Sequence, residues 1–277
     1  MLDVTRRVQL LHGRLFRVLP EWQSRLAALG IAQDQDWMNL SVGALVSRSP
    51  STRCFRIALQ GGESVYFKRY VYAPRKLLEF WLRPSKATVE AFGFTRLHRL
   101  GIPTLEVLAF GEVRFFGMLR GAFLVTRGIP HSQGMDRFAE KVWHRMSASE
   151  RDRVYEELSG KLVEQVRRAH AARFFHHDLK WRNILIQSDE QGGYTPIWID
   201  CPRARIQRLR WRRGVMVDLS GLGRLALSYC TLRQRYGFLR RYLGIEAHKE
   251  EVKRLYRRIQ AHQARRPVRL LSPTPRN

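Results

Sequence analysis

One short segment carries the clearest chemistry in the chain: His176-His177-Asp178-Leu179-Lys180-Trp181-Arg182-Asn183, followed by the apolar Ile184-Leu185-Ile186. Phosphoryl transfer needs a carboxylate to accept or orient the proton of the attacking hydroxyl, a cation near the moving phosphoryl group, and an oxygen ligand for Mg²⁺. Asp178, Lys180 and Asn183 are the residue types for those roles, in that order. At this chain's own residue frequencies, H-x-D-x-K-x-x-N arises by accident about 10⁻⁴ times per chain. Beyond Asn183, Asp200 ends the run Ile197-Trp198-Ile199, where a strand can lift a second carboxylate to the same Mg²⁺. Asn183 and Asp200 are therefore the candidate metal ligands.

Upstream, Lys68 lies in Val65-Tyr66-Phe67-Lys68-Arg69-Tyr70, a strand-like run suited to a lysine that grips ATP phosphates. Glu90, in the helical stretch that follows, can pair with it. Glu79 is a competitor, but it precedes Pro84 and falls outside that helix. Between the first two strand candidates, Ser47-Arg48-Ser49-Pro50-Ser51-Thr52-Arg53 has no G-x-G-x-x-G. Arg48, Ser49 and the local N–H groups can cradle phosphate, and an ordinary polar hairpin turn explains the composition equally well. The nucleotide base is expected near Leu124-Val125-Thr126-Arg127-Gly128.

These residues require a scaffold of strands followed by helices. Residues 1–39 carry Leu11, Leu15, Leu19, Trp22, Leu26 and Leu29 at helical spacing and are expected to form an amphipathic helical preface. From 40 to 127 short β-like runs form an antiparallel meander around one helix, Lys86 to Leu100, closed by Gly101 and Pro103. From 128 to 262 the texture is helical. Ser147-x-x-Glu150 is a capping box ahead of Val154, Leu158, Leu162 and Val166, which recur every four residues and so share one face. An apolar helix is expected around Asp218 to Tyr229 and a basic one from Glu246 to His262, with 263–277 a basic, loose tail. The fold class is α+β in two lobes, a small antiparallel β-rich one and a mainly helical one.

The chain has 277 residues, 50 Lys+Arg against 24 Asp+Glu, and a formal charge of +26. Such a field favours an anionic partner, whether phosphorylated metabolite, acidic membrane surface or nucleic acid, and repels a cationic one. Cys54, Cys201 and Cys230 match neither a disulfide framework nor a metal clip, which points to a reducing compartment. Arg6, Arg7, Arg14 and Arg17 interrupt any signal-peptide apolar core, and no run reaches the length of a membrane span.

Taken together, Tyr66-Phe67-Lys68, Glu90, Leu97, the Leu100-Gly101-Ile102-Pro103-Thr104 turn, HHDLKWRNILI, Asp200 and Asp218-Leu219 make residues 40–245 resemble the lipopolysaccharide core kinases of the Kdo/WaaP type. The resemblance implies a protein-kinase-like fold and ATP with Mg²⁺ as cofactors. It also implies transfer to a Kdo or heptose hydroxyl of a lipid-linked, anionic core oligosaccharide, on the cytoplasmic face of the inner membrane. Asp200 stands at the position of the D-F-G aspartate of protein kinases, but the triplet here is Asp200-Cys201-Pro202, lacking the packing Phe and the flexible Gly of regulated protein kinases. Just beyond it, 203–213 holds six arginines and no acid. Arg203, Arg205 and Arg208 could bind acceptor carboxylates and phosphates in bidentate fashion, or simply belong to a solvated basic loop. The basic C-terminal stretch from Arg254 to Arg269 could rest on anionic lipid.

An aminoglycoside-type kinase needs an acidic acceptor pocket, which +26 disfavours. A protein kinase is disfavoured because His177 stands where the loop arginine belongs and no A-P-E follows. A non-catalytic basic module on a decayed kinase scaffold, binding anionic lipid or nucleic acid, would explain the charge but not the joint presence of Lys68, Asp178, Asn183 and Asp200; nucleic acid is not expected as partner. His170 reads as a packing and hydrogen-bonding residue, and Asp218 as a support for the catalytic-loop backbone.

Overall fold

The computed structural model describes residues 2–72 and 79–265. Its first part is a six-stranded antiparallel sheet. Strand β1 (Gly13–Val18) precedes a short helix α1 (Gln23–Ala27); β2 (Ala44–Ser49), β3 (Thr52–Ala58) and β4 (Ser64–Val71) form a meander; helix α2 (Lys86–Arg99) follows, then the hairpin β5 (Val107–Phe115) and β6 (Met118–Arg127). The spatial order is β1-β5-β6-β4-β3-β2. After the connection at Gly128 come β7 (Ser132–Gly134), α3 (Met135–Lys141), α4 (Ala148–Ala171), β8 (Phe174–Phe175), β9 (Ile184–Ser188), β10 (Tyr194–Trp198), β11 (Arg205–Ile206), α5 (Trp211–Tyr229), α6 (Leu232–Leu243) and α7 (Lys249–Ala264).

Alternation along the strands divides the sheet into two faces. Phe55, Ile57, Val65, Phe67, Phe123 and Val125 pack outward with Trp22, Leu26, Ile31 and Trp37. Tyr70, Phe110, Ala122 and Leu124 face inward and join Ala87, Ala91, Phe94 and Leu97 of α2 to the core of the helical part. Helix α2 starts at Ser85, whose hydroxyl accepts from Thr88 N at 3.1 Å. Helix α4 opens with the expected capping box, the Ser147 and Glu150 side chains each bonding the other's backbone N–H.

The segment expected as a helical preface is different. Only Gln23–Ala27 is α-helical, and Gly13–Val18 is a strand pairing with β5 from Gly13↔Arg114 to Val18↔Ala109. The apparent helical spacing ran across Gly13, at φ +101°, and Pro20, which opens a 3-10 turn rather than extending a helix. An unpaired β5 edge leaves its outward backbone N–H and C=O groups seeking partners, and this outweighs a periodicity that long-range pairing can override. Gly111 makes the pairing possible: a Cβ there would stand 2.5 Å from Leu15 O and from the Phe123 ring. Helix α5 begins at Trp211, earlier than expected, and so absorbs the end of the arginine run. Helix α6, which the hydrophobic pattern did not single out, has its own capping box at Thr231 and Gln234. Helix α7 runs through Ala264, into the segment expected as tail; 266–277 lie outside the described residues.

A buried ion pair ties the sheet to the approach of α2. Arg114 and Glu112 have side chains 0% and 1% exposed and meet at 2.6 Å. Arg114 also donates to Gly117 O and Arg83 O, and Glu112 accepts from Thr88 Oγ1. Glu112→Ala strands that guanidinium in the interior and is expected to cost about 3–5 kcal/mol in urea unfolding. Ser147→Ala, which loses only a cap, should cost about 1 kcal/mol.

Candidate active site

Strand β4 turns Lys68 and Tyr70 to the inner face, where both meet Glu90 of α2. Lys68 Nζ donates to Glu90 Oε1 and Oε2 at 2.9 and 3.0 Å, and to Asp200 Oδ1 at 2.5 Å. The Tyr70 hydroxyl donates to Glu90 Oε1 at 2.5 Å. Glu79, the competitor, is exposed and outside α2. Tyr70 was not anticipated, although it lies two residues beyond Lys68 and a strand must turn both to one face.

Asp200 follows β10 with φ +57°, a left-handed conformation that Asp tolerates better than most residues. Its neighbour Cys201 is fully buried and directs its thiol toward Glu90 O at 3.7 Å. A Cβ on Gly93 would collide with that sulfur, so the glycine lets α2 settle onto the segment.

The loop at 176–183 hangs from one buried carboxylate. Asp218 of α5 accepts from His176 N at 2.9 Å and His177 N at 2.7 Å, as the sequence suggested. His170 lies beside it, with Nε2 3.5 Å from Asp218 Oδ2 and Nδ1 2.9 Å from the Tyr242 hydroxyl. Gly221, one turn along α5, allows close approach: a Cβ there would be 2.5 Å from Leu179 O. The His176 ring bridges the backbone of Asp178 and that of Ile199. Asp178 N lies 3.3 Å from Nδ1, which must accept, so Nε2 carries the proton toward Ile199 O at 3.0 Å, directly before Asp200.

Within the loop Lys180 Nζ meets Asp178 Oδ1 at 2.5 Å. Asn183 Nδ2 donates to Asp178 O at 2.8 Å and to Oδ2 at 3.2 Å. Those contacts turn the amide nitrogen toward Asp178 and leave the amide oxygen as Asn183's donor for a cation. An amide oxygen and the Asp200 carboxylate are of the hard, sparse oxygen type that would suit Mg²⁺ if phosphates and water filled the rest of its shell. No cluster of three or more His, Cys, Asp or Glu assembles a metal site among the described residues.

The electrostatics follow from burial and pairing. Burial would lower the Lys68 pKa, but Glu90 and Asp200 together raise it, so the ammonium is held charged. Burial is also the largest influence on Glu90 and raises its pKa against the pull of Lys68. At Asp200 the desolvation cost is outweighed by Lys68, and the pKa is lowered. Cys54, paired with Lys68 across β3 and β4, has its thiol pushed up to about 11 chiefly by burial, and is not a nucleophile near neutral pH.

Two expected residues are not brought to one place. Arg48 pairs with Arg53 and Arg53 with Arg69, whose guanidinium reaches Met38 O and Leu40 O on the outer face. The row containing Lys68 instead runs through Cys54 to Ser47. Register thus puts Arg48 on the face away from Lys68, while Ser49 shares the phase of Tyr70 and receives Ser51 N at 3.4 Å within the turn. Arg203, Arg205 and Arg208 are exposed, and Arg205 pairs with Phe175 just ahead of the catalytic loop. Near the junction of the two parts lies an open hollow of about 1030 Å³, lined by Tyr66, Arg127, Gly128, Pro130, His131 and Ile186 among others.

His177 reaches Gln207 Oε1 at 2.7 Å, and its pKa is lowered, first by burial and then by Arg205, against the pull of Asp218. With the folded-state pKa below the ordinary 6.5, the unfolded chain binds the extra proton first. Stability is then lost as pH falls from about 6.5 toward the folded value. His177→Gln is expected to flatten that acid limb in melting temperatures measured between neutral and mildly acid pH.

The fold has known counterparts. A solved structure described as "WaaP in complex with acyl carrier protein" superposes with a TM-score of 0.62 at 21% identity, covering 81% of this chain and 87% of that one. This is a protein-kinase-like fold, with an antiparallel sheet followed by a helical part. No curated protein matches the chain in sequence. The model of the "Lipopolysaccharide kinase (Kdo/WaaP) family" matches residues 72–256, about two thirds of the chain, and the chain therefore belongs to that family of lipopolysaccharide kinases.

Proposed function

We propose that this kinase transfers the γ-phosphoryl group of ATP to a Kdo or heptose hydroxyl of the lipopolysaccharide inner core, on a lipid-linked acceptor at the cytoplasmic face of the inner membrane. The observation that carries the reading is the joint convergence of Lys68 with Glu90 and Asp200, and of Asp178 with Lys180 and Asn183. A decayed scaffold that only binds anions has no need to keep both clusters.

In this reading Lys68, oriented by Glu90 and Tyr70, grips the phosphates of ATP. Asp178 orients the acceptor hydroxyl and takes its proton as the new oxygen–phosphorus bond forms and the bond to the ADP oxygen breaks. Lys180, on the same carboxylate, offsets charge on the transferring group. Asn183 and Asp200 would hold Mg²⁺, which when bound neutralises phosphate charge. The hollow beside Gly128 is the space for the base. Ser49 and the turn that follows it cover the phosphates with hydroxyl and N–H groups rather than with Arg48.

The acceptor is anionic, and the arginines after Asp200 suit it. Arg6, an exposed side chain, has its pKa lowered by partial desolvation and by Arg205, so two guanidinium groups lie in one neighbourhood. Two like charges close together favour a bound carboxylate or phosphate.

Asp178→Asn is expected to lower phosphate transfer by at least about a thousandfold while ATP binding, read by thermal shift, stays near wild type. Comparable turnover in that variant would remove Asp178 from its role. Replacing Arg203, Arg205 and Arg208 together by Ala should raise KM for the core acceptor about tenfold or more and leave KM for ATP unchanged. Mass spectrometry of the core oligosaccharide from cells lacking the protein, complemented by wild type or Asp178→Ala, identifies the acceptor; an unchanged phosphate count in all three would sink the core-kinase reading.

A further inference from the structure

The end of the sheet away from Gly128 carries apolar side chains that no core requires. Leu11, Trp81, Leu82, Phe115 and Phe116 are 58%, 53%, 51%, 45% and 70% exposed. They come from three separate segments and meet at the β5–β6 turn. Gly117 N donates to Leu11 O at 2.7 Å, and Trp81 Nε1 donates to Phe116 O at 3.2 Å. The His12 ring lies 5.3 and 5.0 Å from Phe115 and Phe116, and those two rings are 4.8 Å apart.

Two further facts set this cluster apart from scattered surface hydrophobics. Phe116 and Leu82 have φ of +45° and +51°. Left-handed turn positions ordinarily take Gly or Asn, and bulky apolar residues there are outliers. The turns are also held rigidly from beneath, since buried Arg114 donates to Gly117 O at 2.8 Å and to Arg83 O at 2.6 Å. A contiguous apolar patch on a rigid base marks an interaction site.

Its rim specifies the partner. In the contributing segments 11–14, 79–83 and 112–120, the exposed charges are Arg14, Arg83 and Arg120 against the single acid Glu79; Glu112 is buried with Arg114. Arg120 lies over the Phe115 ring at 5.7 Å. Aromatic and aliphatic side chains ringed by arginine are the composition of a surface that seats in the headgroup region of an anionic bilayer. We propose that this tip docks the protein onto an anionic lipid surface, with Trp81, Leu82 and Phe116 entering the interface and Arg83 and Arg120 contacting headgroups.

The topology gives the docking a direction. Lys68 pairs with Leu124, which pairs with Phe110. Phe115 is five residues further along β5, about 17 Å at 3.4 Å per residue. The β2–β3 turn lies at the same end, because Thr52 pairs with Tyr70 and Tyr70 with Ala122, while the link between the two parts is at the opposite end. Docking by the tip therefore brings the end of the sheet remote from that link to the bilayer.

The test uses the full chain and vesicles of phosphatidylcholine alone or mixed with phosphatidylglycerol; no acceptor is present, so the result is independent of which sugar is phosphorylated. Wild type should sediment with the mixed vesicles, release partly at high salt, and show tryptophan quenching by lipids brominated on the acyl chain. Trp81→Phe should keep the binding within about twofold and lose most of that quenching. Trp81→Ala with Phe116→Ser should lower partitioning by about tenfold or more, with ATP-induced thermal stabilisation unchanged as the check on folding. Unchanged partitioning of the double variant, or quenching that survives Trp81→Phe, would overturn the assignment. So would absence of vesicle binding together with a concentration-dependent dimer that the double variant abolishes, since a second copy would then cover the patch.

Discussion

The ammonium of Lys68 joins three elements that are far apart in sequence. It draws Glu90 on α2 and Asp200 beyond β10 to one point, and in doing so fixes the sheet, its helix and the helical part relative to one another. Neither carboxylate would be placed by its own backbone alone. Glu90 is buried and Asp200 occupies a left-handed conformation, so both depend on a cation for their charge and position. The cost of burying Glu90 and much of Lys68 is offset by their proximity to each other and to the half-exposed Asp200, and by the Tyr70 hydroxyl, which is why the cluster behaves as a unit.

A second anchor works by hydrogen bonds to backbone. Asp218 fixes the N–H groups of His176 and His177, and the His176 ring carries that order to Ile199, next to Asp200. The loop bearing Asp178 and the strand end bearing Asp200 are thus held against each other through one imidazole. The two anchors meet at Asp200, approached by Lys68 through its side chain and by His176 through its neighbour's carbonyl. Geometry at a phosphoryl-transfer centre must be held to fractions of an ångström, and backbone hydrogen bonds from buried groups supply that restraint.

Much of this was legible in the residues. The catalytic loop and Asp200 stood out because their chemistry demands rare residue types at short, fixed spacing. Strands β2 to β6 and helices α2 and α4 announced themselves by short β-like runs, by turn glycines, by Gly101 and Pro103 after α2 and by the capping box at Ser147. Among what was not legible, three misses each have a physical reason. Strand β1 is a strand because β5 offers an edge, and the edge is a long-range fact. Arg48 was misplaced because a register shift between Leu45 and Ser47 decides which face it takes, and a bulge leaves no compositional trace. Tyr70 was overlooked because a buried tyrosine in a strand reads as core until the carboxylate beneath it is known. The Leu11, Trp81 and Phe116 cluster likewise comes from segments that sequence alone cannot bring together.

Gly93 and Cys201 share a single volume. The sulfur fills the space a methyl group on α2 would need, and the thiol is directed at the carbonyl of Glu90. Neither position is free to change on its own: a side chain at 93 requires a smaller residue after Asp200, and a bulkier residue after Asp200 requires α2 to tilt away and carry Glu90 from Lys68. Through descent the two sites should therefore drift as a pair, the residue at one predicting the size permitted at the other, although 108 positions separate them in the chain.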